Sequence, residues 1–131
     1  MINANRNHST YKRYASTVFA DAQSGSDTDA QFLGPLAGML AAMSRIETPF
    51  LVTAPCDSPM VPSDLVNRLW QAREGAGVAI SVAHDGDRLQ PVFCLLDVGV
   101  RNQLEEFLSK GERKIDRFFA AVGYALSLIH I

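Results

Sequence analysis

The sequence predicts an α/β domain built on a mostly parallel sheet, and three observations carry that expectation. Strand-like and helix-like patterns alternate along the chain. The runs FLVTA (50–54) and VAISVA (78–83) are mostly apolar, as in strands covered on both faces. The helical patterns are about a dozen residues long, the size of a crossover between parallel strands.

Taken in order, MINAN opens as though a strand were ending at Ile2, and Ser9 is placed to cap a short helix through Tyr14. STVFA is a short strand closing at Asp21, followed by the polar, Gly- and Ser-containing loop DAQSGSDTDAQ. In GPLAGMLAAMSRI, Leu36, Met39, Leu40, Met43 and Ile46 recur at helical spacing, so one face turns inward. FLVTA is the next strand. Pro62 and Ser63 signal a helix start, with Leu65, Val66, Leu69 and Trp70 as its apolar stripe and Gly75 and Gly77 at its end. VAISVA and PVFCLLD are strands joined by a turn at HDGD. Two helices follow, one with Leu104, Phe107 and Leu108 inward and a stop at Gly111, the other with Ile115, Phe118, Phe119 and Val122 on one face.

The chain's 131 residues suit one domain, and 47% apolar residues fill one core. A formal charge of −2 supplies no basic field for a nucleic-acid backbone, which excludes that class of partner. No apolar run approaches the ~20 residues of a membrane span, and the opening MINANRNHSTYKR lacks a signal-peptide core. Cys56 and Cys94 are too few for a disulfide scaffold and lack metal-ligand spacing, so both are expected in the core of a reduced, cytoplasmic protein. His8, His84 and His130 are scattered and read as loop or surface residues.

Ligands of open α/β sheets bind beyond the carboxyl ends of the strands. Asn3, Asp21 and Asp57 fall at such ends. Asp57 follows a buried-type strand directly, and a carboxylate there can hold Mg²⁺, which binds through one or two carboxylates plus substrate phosphates. The other reading of Asp57 is a loop aspartate that caps the next turn. In GPLAGM, Gly34 and Gly38 bracket a helix start with Pro35 in its first turn. Its free N–H groups suit an anion, while the glycines equally suit tight helix–sheet packing. In GERK, Arg113 and Lys114 either clamp a phosphate or form a solvated helix start.

In this order the pieces resemble the molybdenum cofactor guanylyltransferase family, also called molybdopterin-guanine dinucleotide biosynthesis protein A. The resemblance is carried by NANR at 3–6, an aspartate at 21, GPLAGM at 34–39, PCDSP at 55–59, VPSDL at 61–65 and GERK at 111–114, and spans residues 2–125. It implies a Rossmann-like three-layer nucleotidyltransferase fold that transfers GMP from GTP to molybdopterin with Mg²⁺. It further implies that Asn3 and Asp21 contact the nucleotide, that Gly34, Pro35 and Gly38 shape the guanosine side, and that Asp57 binds the metal as the catalytic carboxylate. Arg113 and Lys114 would lie toward molybdopterin. Partners in such a family extend to molybdenum-insertion and molybdoenzyme maturation proteins.

The family also has a first strand and a glycine-rich loop, LAGG…RMG…K, that wraps the triphosphate and supplies a lysine; this sequence contains neither. The expected organisation is therefore a shortened nucleotidyltransferase domain at 1–125 and a tail at 126–131 outside the family pattern, inactive as these residues alone. Two other readings stand beside this one: a nucleotidyltransferase acting on a sugar phosphate or another cofactor, and a non-catalytic nucleotide-binding module.

Overall fold

The computed structural model describes residues 1–3, 9, 18–19, 34–58 and 60–129. Within them lie six strands, β1 (Ile2–Asn3), β2 (Val18–Phe19), β3 (Phe50–Thr53), β4 (Ile80–His84), β5 (Leu89–Asp97) and β6 (Tyr124–Leu128). Four helices accompany them, α1 (Pro35–Met43), α2 (Leu65–Ala76), α3 (Arg101–Ser109) and α4 (Ile115–Val122). The expected helix after Ser9 and the loop at 21–31 lie outside the described residues.

β1 and β2 form a parallel pair. The remaining strands form one sheet in the order β3-β5-β4-β6. β4 and β6 are parallel, and β5 runs antiparallel to both β3 and β4, so three of the four strands point the same way. The α/β class is as the alternation predicts. The reversed β5 follows from the short HDGD turn, which can only return a strand antiparallel.

Side chains of the central strands alternate between two cores. Ile80, Val82, Cys94 and Leu96 join α1, α3 and α4 through Leu36, Met43, Leu104, Phe118 and Phe119. On the opposite face Ala83, Phe93 and Leu95 meet Leu65 and Leu69 of α2, with Ile129 beneath them. The result is three layers, helix on sheet on helix. Ser81 is fully buried on the α2 side, where its hydroxyl donates to Leu69 O at 2.7 Å and so costs little.

Several expectations need correction. The α2 stripe is narrower than its spacing suggested: Leu65 and Leu69 are buried, whereas Val66 is 57% and Trp70 37% exposed. Trp70 packs edge-on against Phe50 at 4.8 Å, and the Arg73 guanidinium lies over both rings, so it seals the flank of β3 rather than filling the core. Gly75 continues α2, and Gly77, at φ 65°, ends it with its N–H on Arg73 O. Cys94 is in the core as expected, but Cys56 is exposed. β3 is only partly covered, because no described strand pairs with its outer edge. Residues 124–128, which carry no strand signal read from the sequence, pair in parallel with β4 along their length.

Two outcomes follow from this packing. Phe119 is fully buried among α4, α3 and the sheet, so Phe119→Ala is expected to lower unfolding free energy by about 3–5 kcal/mol, measurable by urea denaturation. In the β4–β5 turn, Asp85 accepts hydrogen bonds from Arg88 N (2.8 Å), Asp87 N (2.9 Å) and Gln90 Nε2 (3.0 Å). The backbone N–H groups of Arg88 and Asp87 hold its carboxyl below the ordinary value of 3.8. A carboxyl whose folded value is depressed stabilises the turn above its unfolded value and loses that contribution as pH falls through the folded value. The Asp85 side-chain carbon should therefore titrate with a midpoint below 3.8, the amides of Asp87 and Arg88 shifting with it.

Candidate functional site

β3, β4 and β6 deliver their carboxyl ends to one edge of the sheet. That edge is where an open α/β fold leaves room for a ligand. Asp57 lies there, in the turn immediately beyond β3, with Pro55 between it and the strand. Its side chain is exposed and makes no hydrogen bond or ion pair to any described residue. The capping role open to it in the sequence is thus not what it performs among these residues. Asp97, by contrast, accepts the Gly99 N–H at 2.8 Å and pairs with Arg73 at 3.3 Å.

α1 feeds β3 and α4 feeds β6, so both helices begin toward the same edge as the strands' carboxyl ends. Gly34 occupies the capping position of α1 with φ 76°, a backbone region that a side chain strains, and Pro35 follows as its first residue. Among the described residues no side chain caps α1 and no acidic residue sits in its first turn, so its leading N–H groups have no side-chain acceptor there. Gly38 lies within the first turns of this helix and is partly covered.

GPLAGM and GERK, far apart in the chain, meet here: a Cβ on Gly34 would lie 3.9 Å from Arg113 O. Arg113 is exposed, and its Nη1 donates to Leu108 O at 3.1 Å and Glu112 O at 2.9 Å. The guanidinium therefore ties down the end of α3 with one nitrogen, while Nη2 and Nε hold no bond to a described residue. Lys114 is exposed at the capping position of α4, where the helix dipole disfavours a cation. Asn3 closes β1, whose two-stranded sheet shares no ladder with β3 among the described residues. Asp21 lies outside the described residues. His84, read from the sequence as a loop residue, is the last residue of β4 and reaches the same edge.

Among the described residues no cluster of three or more His, Cys, Asp or Glu could enclose a metal. The donor set instead fits a hard cation held by one protein carboxylate and completed by phosphate oxygens and water, the usual manner of Mg²⁺. A closed zinc-type site does not fit it. No described helix is long and apolar enough to cross a membrane.

Comparison with known proteins bears out the resemblance. A molybdenum cofactor guanylyltransferase of Shewanella putrefaciens is 43% identical over 127 residues, covering 97% of this chain and 62% of that protein. One from Cupriavidus necator is 48% identical over 126 residues, covering 92% and 60%. The chain thus spans about three fifths of the length of these relatives. Among solved structures, molybdopterin-guanine dinucleotide biosynthesis protein A of Archaeoglobus fulgidus shares the fold, with a TM-score of 0.69 at 21% identity over 92% of this chain and 57% of that one. A protein from Aquifex aeolicus aligns with a TM-score of 0.74 at 19% identity, covering 98% and 63%. The sequence profile of the MobA-like NTP transferase domain matches residues 1–125, and the chain belongs to that family of nucleotidyltransferases.

Proposed function

We propose that this chain is the nucleotide-binding part of a cytoplasmic enzyme that transfers GMP from GTP to molybdopterin, with release of pyrophosphate. The observation that carries the proposal is the exposed carboxylate of Asp57, unpartnered among the described residues and delivered by β3 to the sheet edge where α1 also begins. The names of the relatives, molybdenum cofactor guanylyltransferase, support guanylyl transfer to the molybdenum cofactor.

On this reading Asp57 holds Mg²⁺, which when bound supplies positive charge against the triphosphate. The chain's own groups do the rest. The N–H groups at the start of α1, uncapped by side chains among the described residues, offer donors to the nucleotide, and Gly34 presents no side chain to that approach. Asn3 and Asp21 contact the nucleotide as well, at the ends of the first two strands in the sequence. Arg113 presents its spare nitrogens, and Lys114 its ammonium, toward the molybdopterin phosphate. An anion beside Lys114 offsets the unfavourable placement of that cation at a helix start. Molybdenum-insertion and molybdoenzyme maturation proteins are the partners this role calls for.

Calorimetric titration with GTP, with and without Mg²⁺, tests the site. Mg²⁺ should strengthen GTP binding, and Asp57→Ala should erase that gain, a loss of about tenfold or more, or about 1.4 kcal/mol. Equal GTP affinity with and without the ion in the unsubstituted chain would sink the metal role, and tighter binding of CTP than GTP would move the proposal to another nucleotide. In-line transfer depends on positioning of the triphosphate, and the sequence has no glycine-rich loop with its lysine. These 131 residues alone should therefore show no guanylyltransferase turnover over background in a product assay.

A further inference from the structure

The register of β3 on β5 raises a difficulty at the point where the chain leaves the sheet. The paired residues are Phe50 with Asp97, Leu51 with Leu96, Val52 with Leu95 and Thr53 with Cys94. Val98 N donates to Pro49 O at 2.9 Å, which makes alternate pairs from residue 49 onward the hydrogen-bonded ones. Continued in the same register, the next such pair after Thr53 and Cys94 would place residue 55 opposite Val92. Residue 55 is proline and has no N–H to give.

Val92 lies in an irregular part of β5. The register against β4 jumps from Val82 opposite Cys94 to Ala83 opposite Gln90, so residues 91–93 have no partner on β4. Val92 O would thus lose its ladder donor on the β3 side at the place where β5 is least constrained from the other. Thr53 supplies the missing donor: its hydroxyl bonds Val92 O at 2.5 Å. The same oxygen lies 3.1 Å from Cys94 Sγ. Since the hydroxyl's one proton is given to Val92 O, the Cys94 thiol is the donor in that second contact. Burial keeps this thiol protonated, pushing it up to about 12.

We infer that Thr53 is a positioning residue for Asp57: its hydroxyl replaces the ladder bond that Pro55 cannot make and so fixes the end of β3 from which the Asp57 turn departs. The inference rests on the reading of Asp57 as a metal-holding carboxylate. Thr53 touches neither metal nor nucleotide. It acts through the backbone, by holding residues 53–55 against the irregular stretch of β5.

Thr53→Val keeps the branched shape and removes the donor, leaving Val92 O without its bond, whereas Thr53→Ser keeps the hydroxyl. The test takes the whole chain and reads two quantities in each variant: the ¹⁵N order parameter of the Asp57 amide, and Mn²⁺ affinity in the presence of GTP by electron paramagnetic resonance. Thr53→Val should lower the order parameter and weaken Mn²⁺ binding by about 3- to 10-fold, the equivalent of one lost hydrogen bond. Thr53→Ser should restore both. An Asp57 order parameter unchanged in Thr53→Val, or one equally lowered in Thr53→Ser, overturns the inference whatever the metal does. Asp57→Ala, run alongside, judges the metal role separately: Mn²⁺ affinity unchanged in that variant removes the metal site, while the order-parameter comparison still decides the role of Thr53.

Discussion

The β4–β5 pair, buried on both faces, is the constraint on which the rest of this structure depends. Ile80 with Leu96 and Val82 with Cys94 face one core, and Ser81 with Leu95 faces the other. A slip of one residue would exchange the two sets and point every side chain at the wrong helices. With the register set, α1, α3 and α4 cover one face and α2 the other. Because β5 returns antiparallel through a short turn, β3 on its far side again points the way of β4. The shared carboxyl edge is therefore a consequence of this pairing, not of crossover helices alone.

β3 is an edge strand of that frame, and like β6 its outer edge meets no described strand. Its support comes from the two ends. At the start, Phe50 is held under Trp70 and Arg73, and Arg73 is tied in turn to Asp97 at the end of β5. At the finish, Thr53 holds the bulged part of β5. A functional side chain carried on a turn is as well placed as the element that leads into it, and here that element is clamped at either end.

Much of this was legible in the sequence because it is written in local pattern. The 3.6-residue recurrence of Leu36, Met39, Leu40 and Met43 identified α1, and all four are buried. The mostly apolar run at 78–83 identified a strand covered on both faces, and its residues 80–83 are buried throughout. Periodicity failed where a neighbour decides the outcome. Val66 and Trp70 have the spacing of a core face, yet α2 is rotated so that Leu65 and Leu69 are its buried residues and Trp70 reaches only the flank of β3 at Phe50. Cys56 and Cys94 are the same residue type, but Cys56 lies in the turn after β3 and is exposed, whereas Cys94 lies within β5 and is buried. The contact of Gly34 with Arg113 and the bond of Thr53 to Val92 join residues far apart in the chain, and nothing local announces them.

The prolines around Asp57 make sense against the other aspartates. Asp85 follows β4 and Asp97 closes β5, and each spends an oxygen on a backbone N–H two residues ahead, at Asp87 and Gly99. This local turn is the commonest fate of an aspartate in such a place. Two residues beyond Asp57 stands Pro59, which has no N–H to offer. Pro55 meanwhile ends the ladder before the turn, and the hydroxyl of Thr53 makes good the loss without drawing on the carboxylate. The two prolines act on different bonds: Pro59 withholds the N–H two residues ahead that Asp85 and Asp97 use, and Pro55 withholds a ladder donor that Thr53 replaces.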